Sequence, residues 1–558
     1  MSHRCCWMLL LACVVGQIAM PGAAIGEERA ENLPSIDELE RQGAVVGHID
    51  IDIGNVFATE LPEENKSLFR LANRLHITTR PDIVRQQLLF ASGQPVSARL
   101  IQESERILRA NRYLSEADIV PMRYRDGVVD LLVRTRDVWT FKPGINYGRS
   151  GGKNTSGFEV QESNLLGYGK EVTIARRASV DRTASELRYF DPRVFGSWTQ
   201  FLGSYSSNSD GRYRYVSLDR PFYSLDTHWA VGGNAFDWQR TDQRYALGAV
   251  ADEFRHFQQQ ADLTGGWSAG WRNGWVRRFA YGAMYESDRF APTGTILSAA
   301  ELPADRKLVY PFVGFTLLQD DFQKRRNLDQ IERTEDFYIG TFVQARLGYA
   351  TPAFGADRSA WIWSVSAGTS FETVQREHTL VLRGDARARQ EHGGTRNFIS
   401  NLDANYYWRV ADRQLFYAAL HVSAVSHLDA ERQLMLGGDT GLRGYPLRYQ
   451  EGTRQALLTL EHRTYTSYYL FRLFHLGGAV FFDAGRVWGE SNPHLSAVPQ
   501  ASSPYLRQGL LKDIGLGLRF GSSRSAFGNV IHVDIAFPLD GDPSIKRVQF
   551  VLQTKQSF

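Results

Sequence analysis

Two periods of apolar and polar residues divide the chain. From residue 139 to residue 558 the pattern alternates with a period of two, the mark of half-buried β-strands. Trp361, Trp363, Val365, Ala367, Thr369 and Phe371 alternate with Ile362, Ser364, Ser366, Gly368, Ser370 and Glu372. Leu380, Leu382, Gly384, Ala386 and Ala388 alternate with Thr379, Val381, Arg383, Asp385, Arg387 and Arg389. About twenty such runs follow one another with almost no helical pattern between them. In a soluble sandwich the apolar face is the core and the arginines meet solvent; in a membrane barrel the apolar face meets lipid and the arginines line a wet lumen. Alternation alone does not separate these cases. The length of the array favours the barrel. So do aromatic clusters near strand ends, at Tyr406, Tyr407 and Trp408 and at Tyr465, Tyr468 and Tyr469, which predict interfacial girdles. The chain also closes on a strand, with Val548, Phe550 and Leu552 on one face and Phe558 as its last residue.

Residues 45–138 read differently. Val45 to Ile53 alternates as a strand, and a helical stretch over residues 63–76 puts Leu68, Ala72 and Leu75 on one side with Phe69 and His76 beside them. Thr79 is placed to cap a second helix with Pro81 in its first turn and Gly93 at its end. Ser97 precedes a third helix, whose narrow face is Leu100, Ile101, Ser104, Ile107 and Leu108. Two strands, Tyr113 to Tyr124 and Val128 to Arg136, flank the hairpin dipeptide Asp126-Gly127. The order is that of a small α+β module.

Residues 1–26 read as a secretory signal, with Arg4 ahead of the apolar run Trp7 to Met20 and the small residues Gly22, Ala23, Ala24 and Gly26 offering cleavage after Ala24 or Gly26. Beyond it no run of about 18 apolar residues offers a membrane helix. The three cysteines, Cys5, Cys6 and Cys13, all lie in this segment, so disulfides, thiolate metal sites and a cysteine nucleophile drop out for residues 27–558. Hydrophobic residues make up 43% of the 558 and charged residues 22%, which suits strands half in lipid and half in water. A formal net charge of +3 gives no broad basic field for a nucleic acid.

The most unusual stretch is Gly437-Gly438-Asp439-Thr440-Gly441-Leu442-Arg443-Gly444-Tyr445. Its glycines permit a tightly folded excursion, and Arg443 offers a planar fork of five donors. Downstream, Glu461 and Arg463 lie opposite Leu458 and Leu460, and Asp483 and Gly485 lie opposite Val480 and Phe482. An arginine folded into the lumen could dock on Asp483 with Glu461 nearby.

Together these features resemble the BamA/TamA-type outer-membrane assembly-factor superfamily, also called bacterial surface antigens. The module resembles a polypeptide-transport-associated (POTRA) domain, apart from the extra helix near residues 63–76. The matching pieces are Leu442-Arg443-Gly444-Tyr445, the strand around Glu461, Phe481-Phe482-Asp483-Ala484-Gly485, Asn164-Leu165-Leu166-Gly167-Tyr168-Gly169 and Asp191-Pro192, in an order that spans nearly all of residues 27–558. The resemblance implies a mainly β fold: a transmembrane antiparallel barrel over residues 139–558 behind one POTRA-like periplasmic domain over 45–138. It implies sixteen strands, eleven of them before the loop, where alternation supplies about fifteen candidates, so that an enlarged barrel of up to about twenty stays open. It implies a lock between loop and barrel wall built from Arg443, Gly444, Tyr445, Glu461, Asp483 and Gly485, and a terminal barrel signal at Phe550, Leu552 and Phe558. The implied activity is insertion or translocation of polypeptides at the bacterial outer membrane, without enzyme chemistry, cofactor or metal. Its partners are outer-membrane lipids, unfolded outer-membrane or secreted polypeptides, and periplasmic accessory proteins. The alternatives are a dedicated two-partner-type secretion pore and a passive channel or structural surface antigen.

Other motifs are discounted. Gly515, Gly517 and Gly521 lie on a strand with no helix following, so a lumen-facing glycine stripe accounts for them better than a nucleotide loop. Asp320 to Asp336, mixing acids with Lys324, Arg325 and Arg326, reads as a solvated loop, with lipopolysaccharide contact the alternative.

Overall fold

The computed structural model describes residues 33–294, 302–490, 509–522, 524–525, 530–541, 543 and 545–555. The expected secretory segment at 1–26 and Phe558 lie outside the described residues.

The N-terminal module contains α1 (Ile36–Arg41), β1 (Val45–Gly54), α2 (Ser67–Leu75), α3 (Pro81–Arg85), α4 (Ala98–Arg109), β2 (Leu114–Arg125) and β3 (Val128–Asp137). Its sheet runs β1-β3-β2, with β1 parallel and β2 antiparallel to the central β3. Asp126 and Gly127 both take positive φ, at 50° and 78°, the geometry a two-residue hairpin requires. Ile101 and Leu108 of α4 pack on Ile119, Leu131 and Val133, giving the module its own apolar core. Three local expectations change. The module starts earlier, with α1 held by a reciprocal Ser35–Glu38 capping box. Thr79 caps nothing: its hydroxyl and amide both donate to Asp137, at 2.7 Å each, and α3 ends at Arg85, well before Gly93. In α2 the buried residue is Phe69, stacked on Phe57 at 4.1 Å between centroids, while Leu68, Leu71 and Leu75 are exposed.

The strands from Phe141–Ser150 to Gln549–Lys555 close into an antiparallel barrel of twenty. Sixteen is therefore corrected to twenty, with fifteen strands before the glycine-rich loop and five after it. The reason is physical: each alternating run pairs along most of its length with at least one neighbour, and the first and last meet at one position, so none can be absorbed into a loop. Outward-facing Ile145, Leu263, Tyr281, Val313 and Leu516 are all more than half exposed, a belt of apolar surface that only lipid satisfies. Inward positions carry charge, with Asp483, Asp513 and Arg519 fully buried among the lumen side chains. The strands Trp229–Ala246, Ala249–Arg272 and Trp275–Pro292 have 18, 24 and 18 residues, well beyond the roughly 9–11 that span a bilayer. The girdle expectation holds only in part. Trp408 and Tyr468 are exposed, whereas Tyr407 and Tyr465 point inward and are buried.

The module lies across one end of the barrel. There Asn164 donates to Thr79 Oγ1 at 2.8 Å, Arg193 to the carbonyl of Gln86 at 2.9 Å, and Arg524 to Glu64 at 2.5 Å, while Arg99 pairs with Asp226. Residues 320–341 belong to this end and correct the solvated-loop reading. Their base is a short hairpin, Phe322–Arg325 with Glu335–Tyr338, and their tip enters the lumen. Leu328 and Ile331 supply the apolar anchor inside, while Asp336 and Lys324 pair with the module and Arg325 and Glu332 with Glu372 and Arg413 of the wall.

Candidate functional site

At the far end of the barrel the segment between Gln414–Ser426 and Arg454–Leu470 turns inward. Leu434–Leu436 pairs with Gln450–Gly452, so the excursion starts as a hairpin. Leu436, Leu442, Tyr445 and Tyr449 then bury themselves against Leu457, Val487 and Leu511 of the wall. The apolar residues of the loop thus form a small core inside an otherwise polar lumen.

Arg443 is at its centre. Its Nε and Nη2 donate to both carboxylate oxygens of Asp483 at 2.7 and 2.9 Å, and its Nη1 donates to Glu461 at 2.7 Å. The guanidinium lies 3.4 Å from the ring centroid of Phe481, so its face is covered as well as its edges. The bidentate geometry suits the rigid guanidinium fork and fixes the loop more narrowly than a lysine would. Gly444 donates its amide to Asp513 at 3.0 Å, and a Cβ on Gly444 would fall 2.7 Å from the Asp513 Cβ. Tyr445 donates its hydroxyl to the carbonyls of Lys512 and Asp540 at 2.7 and 3.0 Å. Gly485 leaves room for the loop, since a Cβ there would approach Leu436 to 2.9 Å and Leu457 to 3.1 Å. The structure therefore brings Arg443, Gly444, Tyr445, Glu461, Asp483 and Gly485 to one place.

Asp513, Asp534, Arg463 and Arg519 complete the cluster. Arg463 donates to Glu461 at 2.9 Å, Arg519 pairs with Asp534, and Asp534 lies 3.7 Å from Arg443. Asp513 and Arg519 share the inward phase of Gly515 and Gly517, so parity along that strand was the available clue. Gly515 and Gly517 face the lumen, and side chains there would collide with Phe481 and Asp534.

The loop also grips the edge of the barrel. Ser150, at the end of the first strand, donates to the carbonyl of Gly438 at 2.6 Å, and Arg448 reaches both oxygens of Asp181 at 2.8 Å. That first strand is the other half of the site. It pairs with Lys153–Glu162 along all ten residues, yet meets the last strand at a single position, Arg149 opposite Leu552. At the module end the chain is tied separately, Trp139 donating its amide to the carbonyl of Arg524 at 2.9 Å. Between these two points the first strand has no strand partner on its seam side among the described residues. A cavity of about 1790 Å³ opens on this gap and extends into the lumen, where Glu159, Arg177, Arg188, Arg333 and Glu335 also line it. It is lined by Ile145, Tyr147 and Gly148 on one side, Leu552 to Lys555 on the other, and Leu68, Leu71 and Leu75 of α2 below. It exceeds the roughly 300–1,000 Å³ of small-molecule sites. Phe550 and Leu552 of the expected terminal signal lie on the last strand, Phe550 exposed and Leu552 at the seam contact.

Among the described residues no group of three or more His, Cys, Asp or Glu side chains is arranged to hold a metal ion.

No family model and no curated protein matches the chain. Among solved structures it is similar to BamA from Haemophilus ducreyi lacking POTRA domains 1–3, at 12% identity and a TM-score of 0.39, over 92% of this chain and 85% of that one. It is similar to CdiB from Escherichia coli at 14% identity and a TM-score of 0.44, covering 92% and 76%. CdiB from Acinetobacter baumannii gives 12% identity and a TM-score of 0.40, covering 93% and 74%.

Proposed function

We propose that this chain is an outer-membrane barrel of the BamA/TamA-type superfamily that inserts or translocates polypeptides, with its N-terminal module in the periplasm. The observation that carries this reading is the seam. Among the described residues, the first strand meets the last at one position on its seam side, and a strand edge left without backbone partners is a template for adding another strand. Here that edge borders a cavity of polypeptide size, beside lipid-facing residues. A passive channel gains nothing from an unzipped wall. Clients dock first on the module, where β2 is an outer strand of the sheet, and then enter at the seam between residues 141–148 and 549–555. The chemistry is backbone hydrogen-bond exchange, so it uses no cofactor or nucleotide and tolerates many client sequences. Partners are outer-membrane lipids, unfolded outer-membrane or secreted polypeptides, and periplasmic accessory proteins.

The test is to close the seam. All cysteines lie within the first 13 residues, so Arg149→Cys with Leu552→Cys introduces one defined pair at opposed positions. Oxidation stops activity and reductant restores it; a cross-linked barrel of full activity removes the seam mechanism. Depletion followed by a survey of outer-membrane proteins then separates the roles. Broad loss of barrels marks an insertion factor, loss of one secreted protein marks a dedicated pore, and no change overturns both.

A further inference from the structure

Residues 320–341 connect the two ends of the molecule. At their base, Arg109 of α4 donates Nε and Nη2 to the two oxygens of Asp336 at 2.8 and 2.7 Å. Lys324 bonds Glu105 of the same helix at 2.8 Å, and Arg333 reaches the carbonyl of Leu114 at 3.2 Å. Glu105 and Arg109 are themselves anchored in the module, Glu105 accepting from the amide of Ile119 and Arg109 donating to the carbonyl of Ala117. The hairpin base is therefore tied to α4.

The tip is held inside the barrel. Leu328 and Ile331 pack with Val381, Tyr407, Leu415, Tyr465, Ala479 and Val530, contributed by six different strands. The carbonyl of Leu328 accepts from Arg463 Nη1 and from the Tyr465 hydroxyl, both at 3.1 Å. Arg463 is the residue that donates to Glu461, and Glu461 is the acid that holds Arg443. The route from α4 to the lock thus runs through Asp336, along the chain to Glu335, which accepts from the Leu328 amide at 3.0 Å, and from the Leu328 carbonyl through Arg463 and Glu461 to Arg443.

We propose that residues 320–341 are an internal plug that couples the module to the lock: the tip seals the lumen at rest, and displacement of α4 withdraws it and loosens the grip of Glu461 on Arg443. The proposal rests on the functional reading above in one respect, that a docking client is what displaces the module. Its mechanical content is a property of the chain alone. Two arrangements follow, plug seated with loop locked and plug withdrawn with loop loosened, biased by whether the base is tied to α4.

The experiment uses the full-length protein reconstituted in bilayers without any client, so its outcome is independent of whether clients are inserted. Two readouts are taken: ion conductance, and the rate at which a thiol at the fully buried lock position Leu442→Cys reacts with a maleimide. Asp336→Asn and Arg109→Ala, tested separately, raise conductance and accelerate labelling about tenfold or more, the effect of losing one charge-assisted hydrogen bond. The swap Arg109→Asp with Asp336→Arg restores both toward wild type, which excludes simple misfolding of the module. A second pair, Ile331→Cys with Gly521→Cys, ties the tip to the wall, since a Cβ at Gly521 would lie 3.0 Å from that of Ile331. That is near disulfide range once the side chains relax. In oxidised protein carrying this tie, Asp336→Asn no longer raises conductance, and the labelling rate, now read as protection of the loop from added protease, stays at the wild-type level. If the base variants raise conductance while the lock stays protected, the coupling is refuted and only a plug remains. If neither readout changes, the plug itself is refuted.

Discussion

Two stretches of the barrel wall are built in opposite ways. The four strands Arg454–Leu470, Phe474–Trp488, Leu511–Gly521 and Val530–Pro538 pair along most of their lengths, and on their inner face Glu461, Asp483, Asp513 and Asp534 surround Arg443. At the seam, the first and last strands share one paired position among the described residues and border a cavity. A closed sheet normally leaves no edge. This one concentrates its cross-links beside the seam, where the described residues of the first and last strands share a single paired position. Resistance to opening is therefore local, and the strands expected to part are those with the fewest shared backbone bonds. The loop joins the two regions, since it is locked to the wall by Arg443 and touches the first strand through Ser150.

The largest effect that tests this contrast is at the lock. Arg443→Ala leaves Glu461 and Asp483 buried without their shared cation, and breaking a buried pair from one side costs about 3–5 kcal/mol. The folded barrel should lose its slow-migrating or compact form in heat-titrated gels at a markedly lower temperature. Arg149→Ala at the seam should remain within about 0.5 kcal/mol of wild type, as surface changes away from special features do. Equal losses at the two sites would remove the distinction.

Overpacking comes next. Gly444→Val places carbon against the Asp513 Cβ and disturbs the Gly444 amide bond, costing about 1–3 kcal/mol. The same gel assay should show a smaller shift than for Arg443→Ala. A loss equal to that of Arg443→Ala would mean that loop shape, not charge, holds the wall.

The lock was legible because a period of two assigns each strand residue to a face. Glu461 and Asp483 were on the inward phase, and only one arginine stood in a glycine-rich loop able to reach them. Asp513 and Arg519 obeyed the same rule but were masked by the glycines between them, which drew attention to backbone rather than charge. The strand count was legible in the alternation itself; sixteen came from resemblance, and the chain's own pattern was the better guide. The plug could not be read in this way. Its partners Glu105 and Arg109 lie more than 200 residues upstream, and charges awaiting distant partners look the same in sequence as charges awaiting water. The face of α2 failed for a similar reason, since Phe57, from the connection before the helix, selects Phe69 as the buried side.

A smaller effect is expected where module meets wall. Asn164 donates to Thr79 and accepts from the amide of Gly169 at 2.6 Å, holding the turn in which Leu166 takes a φ of 54°. Asn164→Ala should cost about 1 kcal/mol, confined to this joint because the strands beyond it pair independently. Limited proteolysis near residues 76–80 should accelerate while the barrel's gel behaviour stays unchanged. A drop in barrel heat resistance as large as at the lock would show that the joint and the wall unfold as one unit.

The smallest expected effect is a pH dependence of the plug. Burial, reinforced by Asp329, pushes the Glu335 carboxyl up from 4.5 to about 7, although the amides of Leu328 and Asp329 donate to it at 3.0 Å each. Asp329 is likewise raised by burial, and Arg333 is held below its usual value by the same desolvation. Other charged and titratable groups facing the tip are Arg463, Tyr407 and Tyr465 from the wall, with Asp336 and Arg109 at the base. A carboxyl with a raised value in the seated state keeps a proton that the withdrawn, solvated state gives up between about 4.5 and 7. Seating is therefore favoured at the acidic end of that window and weakens as pH rises through it. Bilayer conductance should climb modestly from pH 5 to pH 7.5 in the wild type and flatten in Glu335→Gln, which cannot ionise. An equally steep rise in Glu335→Gln would assign the pH response to the other charges around the tip and leave the plug without this titrating group.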